Sequence, residues 1–213
     1  MNTRVHSHRP LRWPATTVTA AVTAAVTAVL LTLTAGCGAE SGTGGGGTGA
    51  SGALPEGWGT LRTATVTVAY PPAFTPLSAA ERGKYNAAAA KLTEDGEKSE
   101  DGEKGKDVGM ISVQLGFTNA DTPEEAAIGA EAGIALGSTL KRQTEIEVNG
   151  PDGAKAEARR VDFEFTEKGS RVKGVIVAGI DTAKKAYAVR IDAVKGKLGD
   201  DDLRRILDSI TLK

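Results

Sequence analysis

The chain has 213 residues, with 26 lysines and arginines against 27 aspartates and glutamates, two histidines and one cysteine. It lacks the basic excess that marks a nucleic-acid binder, so no nucleic-acid partner is expected. A single thiol also excludes a disulfide framework, which leaves stability to a packed core.

Arg4, Arg9 and Arg12 give the start of the chain a positive charge, and no acidic residue occurs before Glu40. Ala15–Thr34 is an uncharged run, diluted by threonines, and it closes in Leu33-Thr34-Ala35-Gly36-Cys37. This arrangement resembles a bacterial lipobox, in which the cysteine thiol takes a diacylglycerol and the peptide bond before it is cut. The resemblance implies that residues 1–36 are a lipoprotein signal peptide and that Cys37 is the lipidation site and first mature residue. It also implies a lipid-anchored location at the outer face of the cytoplasmic membrane. An uncleaved membrane helix is the alternative, because about twenty uncharged residues match a bilayer span. In either case the preceding positive charges place the rest of the chain outside. Cleavage would remove both histidines, His6 and His8, and three of the 26 basic residues, leaving the mature chain with a net charge of −4.

Residues 37–57 read as the lipidated cysteine and a Gly-rich tether; such composition behaves as a random coil of about 25 Å mean span. The folded domain is expected over residues 58–213, a size that supports one core. Ala64, Val66, Val68 and Tyr70 alternate with period two, which predicts a half-buried strand ended by Pro71 and Pro72. Residues 79–92, with Ala87–Ala90, suggest a short helix. Residues 93–107 repeat Glu-Asp-Gly-Glu-Lys and have almost nothing to bury, so a solvated, mobile charged insert is expected.

Ile111, Val113, Leu115 and Phe117 mark a second strand. Thr122-Pro123-Glu124-Glu125 then opens a helix, with Thr122 as N-cap and Glu125 closing a capping box. Ile128, Ala132, Ala135 and Leu136 would form its buried face, and Gly137 would stop it. Three strands separated by tight turns follow: Thr144–Val148, Arg159–Phe165 and Val172–Ile180. The turns fall at residues 149–153 and 168–170. The third of these strands is apolar nearly throughout, as in a strand covered on both faces. After a turn at 181–185 comes Tyr187–Ile191, then a helix capped by Asp200 or Asp201. Its Leu203, Ile206, Leu207 and Ile210 make an apolar stripe.

Hairpin-linked strands flanked by helices argue for an α+β fold with an antiparallel sheet. Ala69-Tyr70-Pro71-Pro72-Ala73-Phe74 and the closing Leu203–Leu212 segment, with its Ser209-Ile210-Thr211, resemble the PsbP-like family. Within it the likeness is to actinobacterial lipoproteins of the LpqN type. The resemblance implies a non-catalytic binding or assembly module whose partner is another envelope protein. It transfers no catalytic residue and no cofactor.

The residues themselves offer little chemistry. Without histidine the usual nucleophilic triads are excluded. Ser138/Lys141 and Ser170/Lys173 match a loose Ser-x-x-Lys pattern, yet neither spacing brings the two side chains together in the expected elements. Asp162 and Glu164 share the polar face of a strand. The carboxylates of residues 93–107 are of the oxygen type that calcium takes, but their spacing is not that of a calcium loop, and lysines dilute them. Trp58, at the domain edge, is either a binding hot spot or a cover for the core. The readings to be separated are therefore a surface-binding module and a carrier of a lipid or small apolar ligand, which would need an apolar cavity.

Overall fold

Strands dominate because apolar residues recur at every second position through most of the domain. The computed structural model describes residues 54–94 and 105–213. Residues 1–36, Cys37 and most of the tether lie outside them, as does the centre of the charged insert. The strands are β1 (Gly59–Arg62), β2 (Val66–Tyr70), β3 (Phe74–Pro76), β4 (Ala88–Glu94), β5 (Lys106–Leu115), β6 (Thr139–Asn149), β7 (Lys155–Glu167), β8 (Ser170–Ile180), β9 (Ala186–Val194) and β10 (Thr211–Leu212). The helices are α1 (Pro123–Glu131) and α2 (Asp200–Asp208).

All ten strands form one sheet in the order β1-β2-β10-β6-β7-β8-β9-β5-β4-β3. Every pairing is antiparallel except β10 with β6. The fold is thus mostly sheet with a helix on each face, in keeping with the expected α+β class. The long meander β6–β9 turns where the sequence places its turns. Asp152 and Gly153, Lys168 and Gly169, and Lys184 all adopt positive φ there, the twist that tight antiparallel connections favour.

The two faces hold separate cores. On one face Ile206 of α2 and Ile210 of the link to β10 join Val66, Val68, Val113 and Val189, all fully buried, and β1 comes against β4. On the other, α1 sets Ala126, Ala127 and Ala130 on Val161, Phe163, Ile176, Ala178, Ala186 and Ala188. Three glycines make room for aromatic rings directly across the ladder. Gly59 pairs with Tyr70, Gly174 with Phe163 and Gly179 with Tyr187. A Cβ on Gly174 would lie 2.2 Å from Phe163 Cζ, and one on Gly179 would lie 2.9 Å from Tyr187 Cε1. Because Gly174 and Gly179 point to opposite faces of β8, the two rings cross that strand on opposite sides.

The structure corrects several expectations. Residues 79–92 are not a helix: Ala88–Glu94 is a strand between β3 and β5, with Ala88, Ala89 and Ala90 all buried. Burial on both faces overrides alanine's helix propensity, which is a weak prior. The ends of the charged insert are also ordered, since Thr93 pairs with Asp107 and Glu94 with Lys106 in the β4–β5 ladder.

Helix α1 ends at Glu131, well before Gly137, and presents its alanines to the sheet. The stripe expected to be buried faces away: Ile128 is 60% and Leu136 103% exposed. Small side chains let the helix sit close on the bulky Val161, Phe163 and Ile176, and Gly129 leaves room for Thr118. Thr122 does cap α1, accepting from the Glu125 N–H at 3.2 Å, but Glu125 reaches back to the Asp121 N–H at 2.8 Å and not to its own cap. Helix α2 is capped by Gly199, so Asp200, Asp201 and Asp202 occupy its first turn, where their charge suits the helix dipole. Trp58 packs against the larger core, which is the covering role.

Replacing Gly174 by valine should cost about 3 kcal/mol, because the new side chain occupies the space of the Phe163 ring; urea unfolding measures this. The Tyr187 hydroxyl is buried and finds no partner among the described residues. Burial, reinforced by the Asp181 charge, raises its pKa far above the ordinary tyrosine range. Tyr187→Phe should therefore stabilise the domain by about 1 kcal/mol, and an unchanged or lower urea midpoint would contradict that.

Candidate functional site

The first turn of α1 stands over the β6–β7 ladder, and between them lies an open groove of about 450 Å³. Residues 145, 147, 157 and 159 share the α1 face because they alternate with the inward Ile146, Val148, Ala156 and Ala158. The register sets Glu145 opposite Arg159 and Glu147 opposite Glu157. Arg159 pairs with Glu145 at 2.8 Å and with Glu124 of α1 at 3.7 Å. One guanidinium thus serves a groove walled by four carboxylates. Like charges directly across a ladder oppose its pairing, so Glu147 and Glu157 are at odds with the sheet that holds them. The Thr122 hydroxyl at the rim is already engaged in capping. The groove offers negative charge and hydrogen-bond acceptors in an open trough, a setting for basic groups.

Beneath α2 the packing leaves little space. A second cavity, bounded by Val175 and Ile191 of the sheet and Leu203 of α2, measures only about 30 Å³. That is about the space one water molecule takes, far short of the several hundred cubic ångströms of a usual ligand pocket.

The residues weighed from the sequence are mostly tied to one another. Asp162 accepts from Arg160 Nη2 at 2.6 Å and lies 3.4 Å from Arg142 Nε. Glu164 accepts from Arg171 at 2.6 Å and from Lys141 at 3.3 Å. The Arg171 hydrogen bond, joined by that of Lys141, holds the Glu164 carboxyl below its usual pKa despite some desolvation. Both carboxylates are thus held by cations on the polar strand face, as a structural ladder. Ser138 donates to the Ala135 carbonyl while Lys141 goes to Glu164, so that dyad is absent. Ser170 is approached by Lys106 at 3.4 Å. Of the acidic insert, Glu94 pairs with Lys197 and Asp107 with Lys91. No group of potential metal ligands gathers among the described residues. Among the same residues no helix is long and apolar enough to cross a membrane. Cys37 lies outside them.

One cluster escaped the sequence reading. Arg190 donates to Asp192 Oδ2 at 2.7 Å and to the Gly133 carbonyl beyond α1 at 2.8 Å, with its guanidinium 5.3 Å from the Phe163 ring centre. Asp192 Oδ1 is buried without a partner among the described residues, and burial raises the carboxyl's pKa against the pull of Arg190. The signal was present as Arg-x-Asp, which occurs at residues 160–162 and again at 190–192. Residues two apart on a strand share a face, and here each pair is joined. The groove was equally legible in principle as Glu145-x-Glu147 and Glu157-x-Arg159, but only the register brings these four together.

No protein-family model matches the sequence, and no curated protein matches it. Among solved structures, the Ran-binding protein Mog1p of Saccharomyces cerevisiae is similar at 12% identity and a TM-score of 0.47, over 72% of this chain and 94% of its own. A Bacteroides thetaiotaomicron protein is similar at 12% identity and a TM-score of 0.38, over 70% of this chain and 45% of its own. The protein of unknown function PA94 of Pseudomonas aeruginosa, described as a putative regulator, aligns at 12% identity and a TM-score of 0.32, over 66% of this chain and 85% of its own.

Proposed function

We propose that this chain is a lipoprotein of the LpqN type, anchored through Cys37 at the outer face of the cytoplasmic membrane. Its PsbP-like domain serves there as a non-catalytic binding module for another envelope protein. The observation that carries this reading is the open, carboxylate-walled groove beside α1, set against only about 30 Å³ of space beneath α2. A carrier of a lipid or apolar ligand needs an enclosed apolar void, and the 30 Å³ space beneath α2 does not provide one. An acyl-transfer enzyme needs an activated nucleophile. Of the hydroxyls weighed for that role, Ser138 donates to the Ala135 carbonyl and Ser170 accepts from Lys106, not from Lys173. What the domain presents is surface, and the groove beside α1 is where a basic segment of a partner finds unneutralised charge. Charge complementarity of this kind sets specificity and association rate more than raw affinity. The Tyr-Pro-Pro segment ending β2 and the α2–β10 ending are the residues on which the PsbP-like assignment rests.

Two outcomes follow. Cys37→Ala should leave an unacylated precursor, because the chain has no other thiol; mass spectrometry of the membrane fraction reads this, and an unmodified Cys37 in the native protein would defeat the anchor. Glu147→Lys with Glu157→Lys should weaken crosslinking to the partner captured from intact membranes by at least about tenfold, with the urea midpoint retained. Native mass spectrometry showing stoichiometric lipid in the purified protein would instead select the carrier.

A further inference from the structure

Strand β6 lies inside the strand order, yet only its last residue has a neighbour on the β10 side. β10 is two residues long and meets β6 at one point, Thr211 against Asn149. Among the described residues no backbone group bonds residues 139–148 from that side, whereas β7 pairs nearly all of them. The Asn149 N–H donates to the Ile210 carbonyl at 3.1 Å, so the main chain of Asn149 points away from β7. Along an antiparallel pair that direction alternates from residue to residue. Glu147, Glu145 and Gln143 therefore also turn their N–H and C=O groups outward, and all three are exposed. A bulge between Leu140 and Arg142 ends the regular stretch. Residues 143–147 thus form an open edge about 17 Å long. The outermost strands are blunter: β1 has four residues, and β3 has three and ends in Pro76.

We propose that the open edge of β6 takes up an added strand from a partner protein, an extended segment in which basic and aliphatic residues alternate. This rests on the groove being where a basic segment binds, and adds how the segment is held. Residues two apart on a strand share a face. On the α1 face the open stretch shows Glu145 and Glu147; on the other it shows Thr144 and Ile146, the latter packed on the larger core. An added strand would set every second side chain beside the glutamates and the rest beside Ile146. Glu145 already has Arg159, whereas Glu147 faces Glu157 across the ladder, so a cation is wanted most beside Glu147. An aliphatic side chain beside Ile146 would lengthen the apolar row. In strand addition the main chain supplies affinity and the alternating side chains supply specificity. A second copy fits poorly, because pairing residues 143–147 in full with the same antiparallel stretch sets Glu145 against Glu145.

The probes are two short peptides of equal composition, one alternating lysine with valine and one carrying them in separate blocks. Each is titrated onto the full chain as isolated from membranes, held in a neutral detergent. The alternating peptide should bind at least about tenfold more tightly than its block isomer. At saturation the amides of Gln143, Glu145 and Glu147 should exchange more slowly by NMR, while those of Thr144 and Ile146, already bonded to β7, should not change. Methylating the main-chain nitrogens of either the lysines or the valines gives a second readout. Only one of those sets can face β6, so one methylated peptide should lose binding and the other keep it. Equal binding of the alternating and block peptides, abolished by Glu147→Lys with Glu157→Lys, would overturn the added strand and leave the groove as a site for basic charge. Binding of neither peptide would also overturn it. If crosslinking to the envelope partner is then indifferent to those two substitutions, the groove reading falls as well. Dimerisation of the chain that protects the same three amides without peptide would give the edge to a second copy, and the partner's strand would be ruled out.

Discussion

Strand β8 is held from both sides by rings that exist only because it lacks two side chains. Phe163 of β7 lies over Gly174 and Tyr187 of β9 over Gly179, each directly across a ladder and on opposite faces of the sheet. A glycine within a strand is ordinarily a weakness, and an aromatic laid across it restores buried area and pins the register. Both cores depend on this arrangement. Phe163 is the centre of the face that receives α1, and Tyr187 belongs to the core closed by α2. A slip of one residue in either ladder would send a ring to the wrong face.

The two helices meet the sheet in different ways, and the difference assigns their roles. Helix α2 uses large aliphatics, and Ile206, with Ile210 just past the helix end, is sealed in. Helix α1 rests on alanines and is held beyond its last turn by Arg190, whose guanidinium joins Asp192, the Phe163 ring and the Gly133 carbonyl. One helix is fixed by apolar area, the other by close approach and a polar clasp. The element with less apolar burial is also the one that borders the carboxylate groove.

Much of the fold was legible because its signals are local. The period-two runs at Arg159–Phe165 and Tyr187–Ile191, the turn residues at 149–153 and 168–170, and Leu203, Ile206 and Leu207 of α2 read correctly, while Ile210, expected in the same helix, lies just past its end. Misreadings arose where a distant partner decides the outcome. Ala87–Ala90 looks helical alone, but β3 and β5 bury Ala88–Ala90 as strand. Ile128 and Leu136 look like core by size, but the bulk of Phe163 and Ile176 beneath α1 selects the alanines instead. The groove was illegible for the same reason. Each glutamate is an ordinary polar strand residue until the β6–β7 register sets Glu147 against Glu157.

Strand β10 has a consequence for how the polypeptide reaches this state. Thr211 and Leu212 are the bridge between β2 and β6, so the β1–β2 hairpin joins the meander through residues at the far end of the sequence. The Thr67–Thr211 contact spans 144 positions. Pairings of such separation form late, after the entropy of closing a long loop has been met. Until Thr211 and Leu212 are in place, β2 has only β1 beside it in the sheet, and an isolated two-stranded hairpin is marginal in water. The β1–β2 hairpin therefore stays apart from the meander until a segment 144 positions further along the chain has been made. The strand order thus makes closure of this edge of the sheet a late event.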